Sequence, residues 1–212
     1  MLNPPFNALL ALLLAYLLGS LSGSLLLGRL RGVDIRTQGS GNAGGTNAFR
    51  TQGIRFALGV VLIDIGKGAA AVWLARQLQV SLEVELLVVM AAVCGHVWPL
   101  FHGFRGGKGA ATLVGGLLLL WPAALPWVLG VWLLVLVSTG YVGLATVLAS
   151  WVLVPLCLLS VTAPLMQWLL FSLTVGALIS FTHRSNLQRL ASGTEHRFQR
   201  ARLLHRWLGR GG

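Results

Sequence analysis

A chain of 212 residues is long enough for one soluble core, but 56% hydrophobic against 10% charged residues and a mean hydropathy of +0.79 exclude one, since soluble domains carry about 25% charged residues. The net charge of +11 would suit a nucleic-acid binder, yet the basic residues cluster beside apolar runs as topology signals do, so no nucleic-acid partner is expected. Cys94 and Cys157 both fall inside apolar runs, which argues against a disulfide framework.

Phe6 to Gly28 carries no charge, longer than the roughly 20 residues that cross a bilayer. It predicts a first helix near Phe6–Leu27, with Gly19-Ser-Leu-Ser-Gly23 as a small-xxx-small contact patch. The first basic residue, Arg29, follows this run instead of preceding it. That pattern opposes a cleavable signal peptide and predicts an outward N-terminus. A polar segment comes next, Gly39-Ser-Gly-Asn-Ala-Gly-Gly-Thr-Asn-Ala-Phe-Arg50, read as a loop. A second helix is expected near Phe56–Leu74 and a third near Val84–Phe101; Glu83 and Glu85 lie between them, with Arg76 as the only basic residue, which suits an outer loop. The second helix places Asp64 and Lys67 in mid-membrane. Such charges are costly and face a bundle interior or a polar cavity. A structural brace is preferred to direct catalysis.

The second polar segment runs Gly95-His-Val-Trp-Pro-Leu-Phe-His-Gly-Phe-Arg-Gly-Gly-Lys-Gly109 and continues to Thr112. From Gly109 to His183 there is no Lys, Arg, Asp or Glu. Breaks at Pro122 and Pro126, at Ser138-Thr-Gly-Tyr141 and from Ser160 to Pro164 divide this stretch into four short helices. The fold class is therefore an all-α integral membrane protein. We expect one domain over 1–212 with about seven spans (five as the fallback), N-terminus out and C-terminus cytoplasmic. The third polar segment, His183-Arg-Ser-Asn-Leu-Gln-Arg-Leu190 with Gly193 and Glu195 beyond it, opens a basic tail, 184–212, in which leucines, Phe198 and Trp207 alternate with arginines. Topology signalling is preferred there to an amphipathic segment lying on anionic lipid.

The same topology puts all three polar segments on the cytoplasmic side. Glycine-rich backbone can approach a phosphate closely and form anion-binding nests, and Arg50 and Lys108 add positive charge. Known phosphate motifs fail: Gly39-Ser-Gly41-Asn-Ala-Gly44 follows a transmembrane helix and not a strand, and Gly107-Lys108 lacks the flanking residues of a P-loop. No histidine is followed by an Asp five residues on, so the H-x4-D pair of soluble and peripheral acyltransferases is absent. No His or carboxylate cluster has metal-ligand spacing. His96 and His183 could be catalytic or merely interfacial; each lies among other polar groups.

Together the three segments resemble the acyl-phosphate:glycerol-3-phosphate acyltransferase family of bacterial membranes, the PlsY family, whose patterns read approximately GSGNxGxTNxxR, GHxxPxFxxFxGGKGxAT and HxxNxxRL followed by GxE. Here they stand at Gly39–Arg50, Gly95–Thr112 and His183–Leu190 with Gly193 and Glu195. The resemblance implies transfer of a fatty acyl group from acyl phosphate to the 1-hydroxyl of sn-glycerol 3-phosphate in the inner membrane, giving lysophosphatidic acid and phosphate. It implies no metal or organic cofactor. Partners would be the two substrates, membrane lipids and a soluble enzyme that makes the acyl phosphate. Among the site residues it implies, Ser40, Gly41, Asn42, Thr46, Asn47 and Arg50 form one phosphate region, and Gly106, Gly107 and Lys108 the adjoining one. His183, Asn186 and Glu195 orient the glycerol, and His96 is the first candidate base, though a substrate phosphate oxygen could take the proton instead. One departure stands at Tyr141-Val-Gly-Leu-Ala-Thr146. Relatives often carry serine where Gly143 is, leaving Thr146 to keep a hydroxyl near the turn. A small transporter or channel for a phosphorylated anion is the alternative; no inverted repeat supports it.

Overall fold

The computed structural model describes residues 4–161 and 163–199, and the described residues form eleven α-helices with short 3-10 turns and no strand. In chain order they are α1 Pro4–Gly19, α2 Gly23–Leu30, α3 Gly45–Gln52, α4 Ile54–Gln77, α5 Leu82–Val97, α6 Ala110–Leu120, α7 Leu125–Thr139, α8 Val142–Trp151, α9 Leu153–Ser160, α10 Leu165–Thr182 and α11 Arg184–Ala191. By length and composition five helices can cross a membrane, and the α1–α2 pair, bent by 45°, would make a sixth. At 11 residues α6 is apolar but short. Four apolar helical segments do follow Lys108, with α8 and α9 forming one of them.

The chain divides into two compact units, Met1–Pro122 and Ala123–Gly212. The first is built around α4, which packs against α1, α2, α3, α5 and α6. Its buried residues Ala57, Val60, Asp64, Lys67, Gly68, Ala71 and Ala75 recur at three- and four-residue steps, one face of a helix. Leu58, Leu62 and Trp73 stay exposed, as lipid-facing side chains must. Helix approach is set by small residues. A Cβ on Gly19 would strike the Ala92 backbone of α5, and one on Gly95 would strike the Tyr16 carbonyl of α1. These two glycines form one reciprocal contact.

The first helix is not continuous to Leu27. It breaks at Ser20–Ser22, leaving α1 and α2 as separate pieces. Neither of the first two polar segments is wholly a loop: the second opens inside α5, which ends at Val97 and not near Phe101, and passes through a 3-10 turn at Leu100–His102, and the first forms α3 from Gly45 onward. Pro126 does not break a helix. It sits in the first turn of α7, where a missing N–H costs nothing.

In the second unit α8 packs on α7, α10 and α11. Gly140, left-handed at φ 79°, ends α7 where the turn is expected. Pro155 lies one turn beyond Val152, the point at which α8 gives way to α9, because a proline ring opposes the carbonyl four residues back. Trp151 lies over Gly176 of α10 and its indole N–H donates to Ser180 Oγ at 3.0 Å.

Candidate active site

The first glycine-rich segment is anchored before it reaches its polar tip. Ile35, Ala43 and Ala48 are wholly buried in a small core with Leu25, Phe56, Ala57 and Val60, and Ser24 Oγ donates to the Ala43 carbonyl at 2.9 Å. Between those anchors the backbone turns through Gly41 at φ 71°, a conformation that disfavours any side chain. Asn47 organises this turn from inside. Its amide donates to the carbonyls of Ile35 at 3.1 Å and Gln38 at 3.0 Å, and its Oδ1 accepts from Ser40 N–H at 3.0 Å. It is 1% exposed and both of its donors serve the loop, so its visible work is to hold the segment's backbone from behind. Ser40, Gly41 and Arg50 are exposed, and Asn42 and Thr46 half-buried.

This segment runs into the N-terminus of α3, whose N-cap is Gly44; the second segment runs into the N-terminus of α6, whose N-cap is Gly109, with no side-chain capping bond at either. Helix N-termini present unpaired N–H groups and a partial positive charge, a ready site for an anion. Two such ends in one unit follow the two glycine-rich segments. The half-buried Lys108 immediately precedes the second.

Arg36 ties the two segments together. Its guanidinium donates to both Asp34 oxygens (Nε at 3.0 Å to Oδ1, Nη2 at 2.8 Å to Oδ2) and reaches across to the carbonyls of His102 at 2.9 Å and Arg105 at 3.2 Å. Its guanidinium holds the Asp34 carboxyl below its ordinary value of 3.8, and Asp34 in turn raises the Arg36 pKa.

Beneath the loops lies a buried ionic cluster. Lys67 Nζ is 3.0 Å from Asp64 Oδ1 and 2.7 Å from His96 Nδ1, and it donates to the carbonyls of Gly19 at 2.8 Å and Leu21 at 2.9 Å. Asp64 Oδ1 accepts from the Gly23 N–H at 3.1 Å. The ion pair thus caps both halves of the broken first helix. The ammonium satisfies carbonyls at the end of α1, and the carboxylate an N–H at the start of α2, each matching the local helix dipole. The other ring edge of His96 faces the second loop: a Cβ on Gly107 would collide with Nε2, and the Gly107 N–H donates to the His96 carbonyl at 3.0 Å.

In the second unit the third segment forms its own network. Glu195, 4% exposed at its side chain, accepts from Asn186 Nδ2 at 2.6 Å and from Arg189 Nε at 2.7 Å. His183 Nδ1 lies 2.8 Å from the Ile179 carbonyl. A carbonyl only accepts, so Nδ1 carries the proton there and a neutral ring has its lone pair on Nε2. Gly143 touches Asn186: a Cβ would sit 2.7 Å from the Asn186 Cβ. Thr146 does not replace a turn hydroxyl. Its Oγ1 donates to Val142 O at 2.9 Å and accepts from Trp132 Nε1 at 3.2 Å, both bonds within the helix packing.

Three comparisons bear on this geometry. The family model described as glycerol-3-phosphate acyltransferase matches residues 9–193. A glycerol-3-phosphate acyltransferase of Synechococcus sp. (strain CC9902) is 41% identical over 193 residues, covering 90% of this chain and 95% of the relative. One from Pseudomonas paraeruginosa (strain DSM 24068 / PA7) is 44% identical, covering 88% and 97%. The crystal structure of PlsY, an integral membrane glycerol 3-phosphate acyltransferase, in its glycerol 3-phosphate form superposes with a TM-score of 0.84 at 34% identity, covering 93% of this chain and 98% of that one; the lysophosphatidic acid form gives 0.81. The chain belongs to the glycerol-3-phosphate acyltransferase family.

Membership makes it a membrane enzyme of phospholipid synthesis, and the anion-transporter alternative falls away. Sequence reading of this acyltransferase missed Asp34 and Arg36, although an Asp two residues before an Arg is a readable local clamp. It paired Lys67 with Asp64, a contact the structure contains, but did not name His96 or the Gly19 and Leu21 carbonyls. The small-residue run Gly19–Gly23 was a signal for close packing and gave no sign of a helix break.

Proposed function

We propose that this chain transfers a fatty acyl group from acyl phosphate to the 1-hydroxyl of sn-glycerol 3-phosphate. The reaction would take place at the cytoplasmic face of the bacterial inner membrane, with the N-terminus outside and the tail inside. The observation that carries this reading is the pair of glycine-capped helix N-termini, α3 and α6, each following a glycine-rich segment with a nearby basic residue, Arg50 or Lys108. Both substrates carry a phosphate, which explains the doubling. The glycerol 3-phosphate and lysophosphatidic acid forms of PlsY agree with this acceptor and this product.

Acyl phosphate is a mixed anhydride and already activated. The acceptor oxygen attacks the acyl carbonyl carbon, the carbon–oxygen bond to phosphate breaks, and the hydroxyl proton passes to a phosphate oxygen, giving lysophosphatidic acid and inorganic phosphate. The enzyme's work is then positioning and stabilising negative charge. Ser40, Gly41, Asn42, Thr46 and Arg50 are assigned to one phosphate and Gly106, Gly107 and Lys108 to the other; the family resemblance also singles out His183, Asn186 and Glu195 in the second unit. A soluble acyl-phosphate-forming enzyme is the expected supplier of the donor. The test is purified protein with labelled glycerol 3-phosphate and, in separate reactions, acyl phosphate, acyl-CoA or acyl carrier protein thioester. Labelled lysophosphatidic acid should form with acyl phosphate alone; product only from a thioester would overturn the reading.

A further inference from the structure

We propose that Lys67 is a positioning residue that acts through His96: by donating to Nδ1 it places the ring proton on Nε2. His96 is thereby a hydrogen-bond donor at the Gly106–Lys108 loop and not the base that deprotonates the acceptor. The inference deepens the acyl-phosphate reading above and rests on it for its kinetic part.

Donor and acceptor bookkeeping carries the argument. Lys67 Nζ faces four groups at 2.7 to 3.0 Å, two backbone carbonyls, an Asp64 oxygen and His96 Nδ1, so its three N–H groups serve them only with one N–H shared between the neighbouring Asp64 oxygen and Nδ1. The carbonyls and the carboxylate can only accept, so the nitrogen facing them is an ammonium, and an ammonium has no lone pair to offer the ring. At 2.7 Å two N–H groups cannot point at each other, so Nδ1 accepts. A neutral imidazole accepting at one nitrogen carries its proton on the other. Nε2–H is the edge that abuts Gly107, beside Lys108. Asp64 lies 3.4 Å from the same Nδ1, beyond a good hydrogen bond, and its nearer partners are Lys67 and the Gly23 N–H.

His96 and His183 therefore hold opposite tautomers. Nδ1 of His183 is the donor, to Ile179 O. Nδ1 of His96 is the acceptor, and its working edge donates. A donating Nε2–H beside the lysine loop strengthens an interaction with developing negative charge, whereas a base there would need the reverse arrangement.

The direct test is nitrogen NMR of histidine-labelled wild-type protein in nanodiscs at about pH 7, with His96→Gln used to assign the signal. The expected result is a protonated Nε2 and an unprotonated Nδ1 at His96; the opposite pattern overturns the inference whatever the turnover. Kinetics supply the second arm. His96→Gln, whose amide N–H can stand in for Nε2–H, should keep transfer within roughly 10-fold of wild type, less than the 10²–10⁴-fold typical of a lost general base. Lys67→Met should lower kcat at least about 10-fold with glycerol 3-phosphate KM little changed, as loss of an interaction used in the transition state does. In folded Lys67→Met protein the His96 tautomer should become mixed, and an unchanged tautomer and kcat would sink the role given to Lys67. Absence of any wild-type transfer from acyl phosphate would instead strike the proposed function, leaving the tautomer result to stand on its own.

Discussion

Lys108 and Arg50, both assigned to phosphate in the proposed function, would play different parts there. Lys108 sits between Gly107 and Gly109, directly before the N-terminus of α6, where the leaving phosphate's charge would develop. Lys108→Ala should reduce kcat by about 10²–10³-fold, as loss of one preorganised charge stabiliser does, with the purified protein still folded by thermal melting. Arg50 is exposed in the last turn of α3, and Arg50→Ala should raise the glycerol 3-phosphate KM roughly 10-fold with kcat nearly unchanged. Initial rates at varied acceptor concentration separate the two. Thr146 marks the contrast: its hydroxyl is already used by Val142 and Trp132, so Thr146→Val should leave turnover within about twofold while costing about 1 kcal/mol of stability.

At the scale of elements, function depends on how two loops are held relative to one another. Arg36 spans them with bonds to His102 O and Arg105 O, and Arg36→Ala should lower kcat by between about 10- and 100-fold, since small misplacements are amplified in a positioning mechanism. The sign of its pH dependence follows from Asp34. Arg36 holds that carboxyl below 3.8, so the clamp is fully present above that value and weakens only as pH falls through the lowered pKa. Any loss of activity between about pH 5 and 7 must come from other groups, which pH–rate profiles of wild type and Arg36→Ala should confirm by sharing that limb. Much of this scale was legible in sequence. Apolar runs, Gly140 and the Pro164 region placed the elements because lipid forces long uncharged helices. The break at Ser20–Ser22 was not legible, for its cause lies 41 residues away in Asp64, which accepts the Gly23 N–H. The structural part of Asn47 was hidden for a related reason: a buried amide that builds a loop and one that binds a ligand look identical in a string of letters.

For the whole molecule the property to measure is its orientation in the membrane. All basic residues except Lys67 and Arg76 fall on the side assigned to the cytoplasm, and that bias sets topology. A cysteine introduced near Pro4 should react with an impermeant thiol reagent added outside intact cells, and one near Arg206, which lies outside the described residues, should not. The reverse pattern would invert the membrane side given to the chemistry.

The capped break also bears on how the protein is made. α1 and α2 leave the ribosome before α4, and until α4 arrives the carbonyls of Gly19 and Leu21 and the N–H of Gly23 have lost the partners seen in the folded unit. Each such group left bare in hydrocarbon costs several kcal/mol. α4 meanwhile carries a carboxylate and an ammonium three residues apart on one face, a segment of no net charge there but poorly solvated by lipid. Neither partner is comfortable in the bilayer alone, and their polar surfaces match only each other. The pairing therefore acts as an assembly key: it selects α4 from among equally greasy helices and fixes its depth against α1 and α2. Replacing both charges with leucines would ease insertion of α4 while removing the instruction for where it docks.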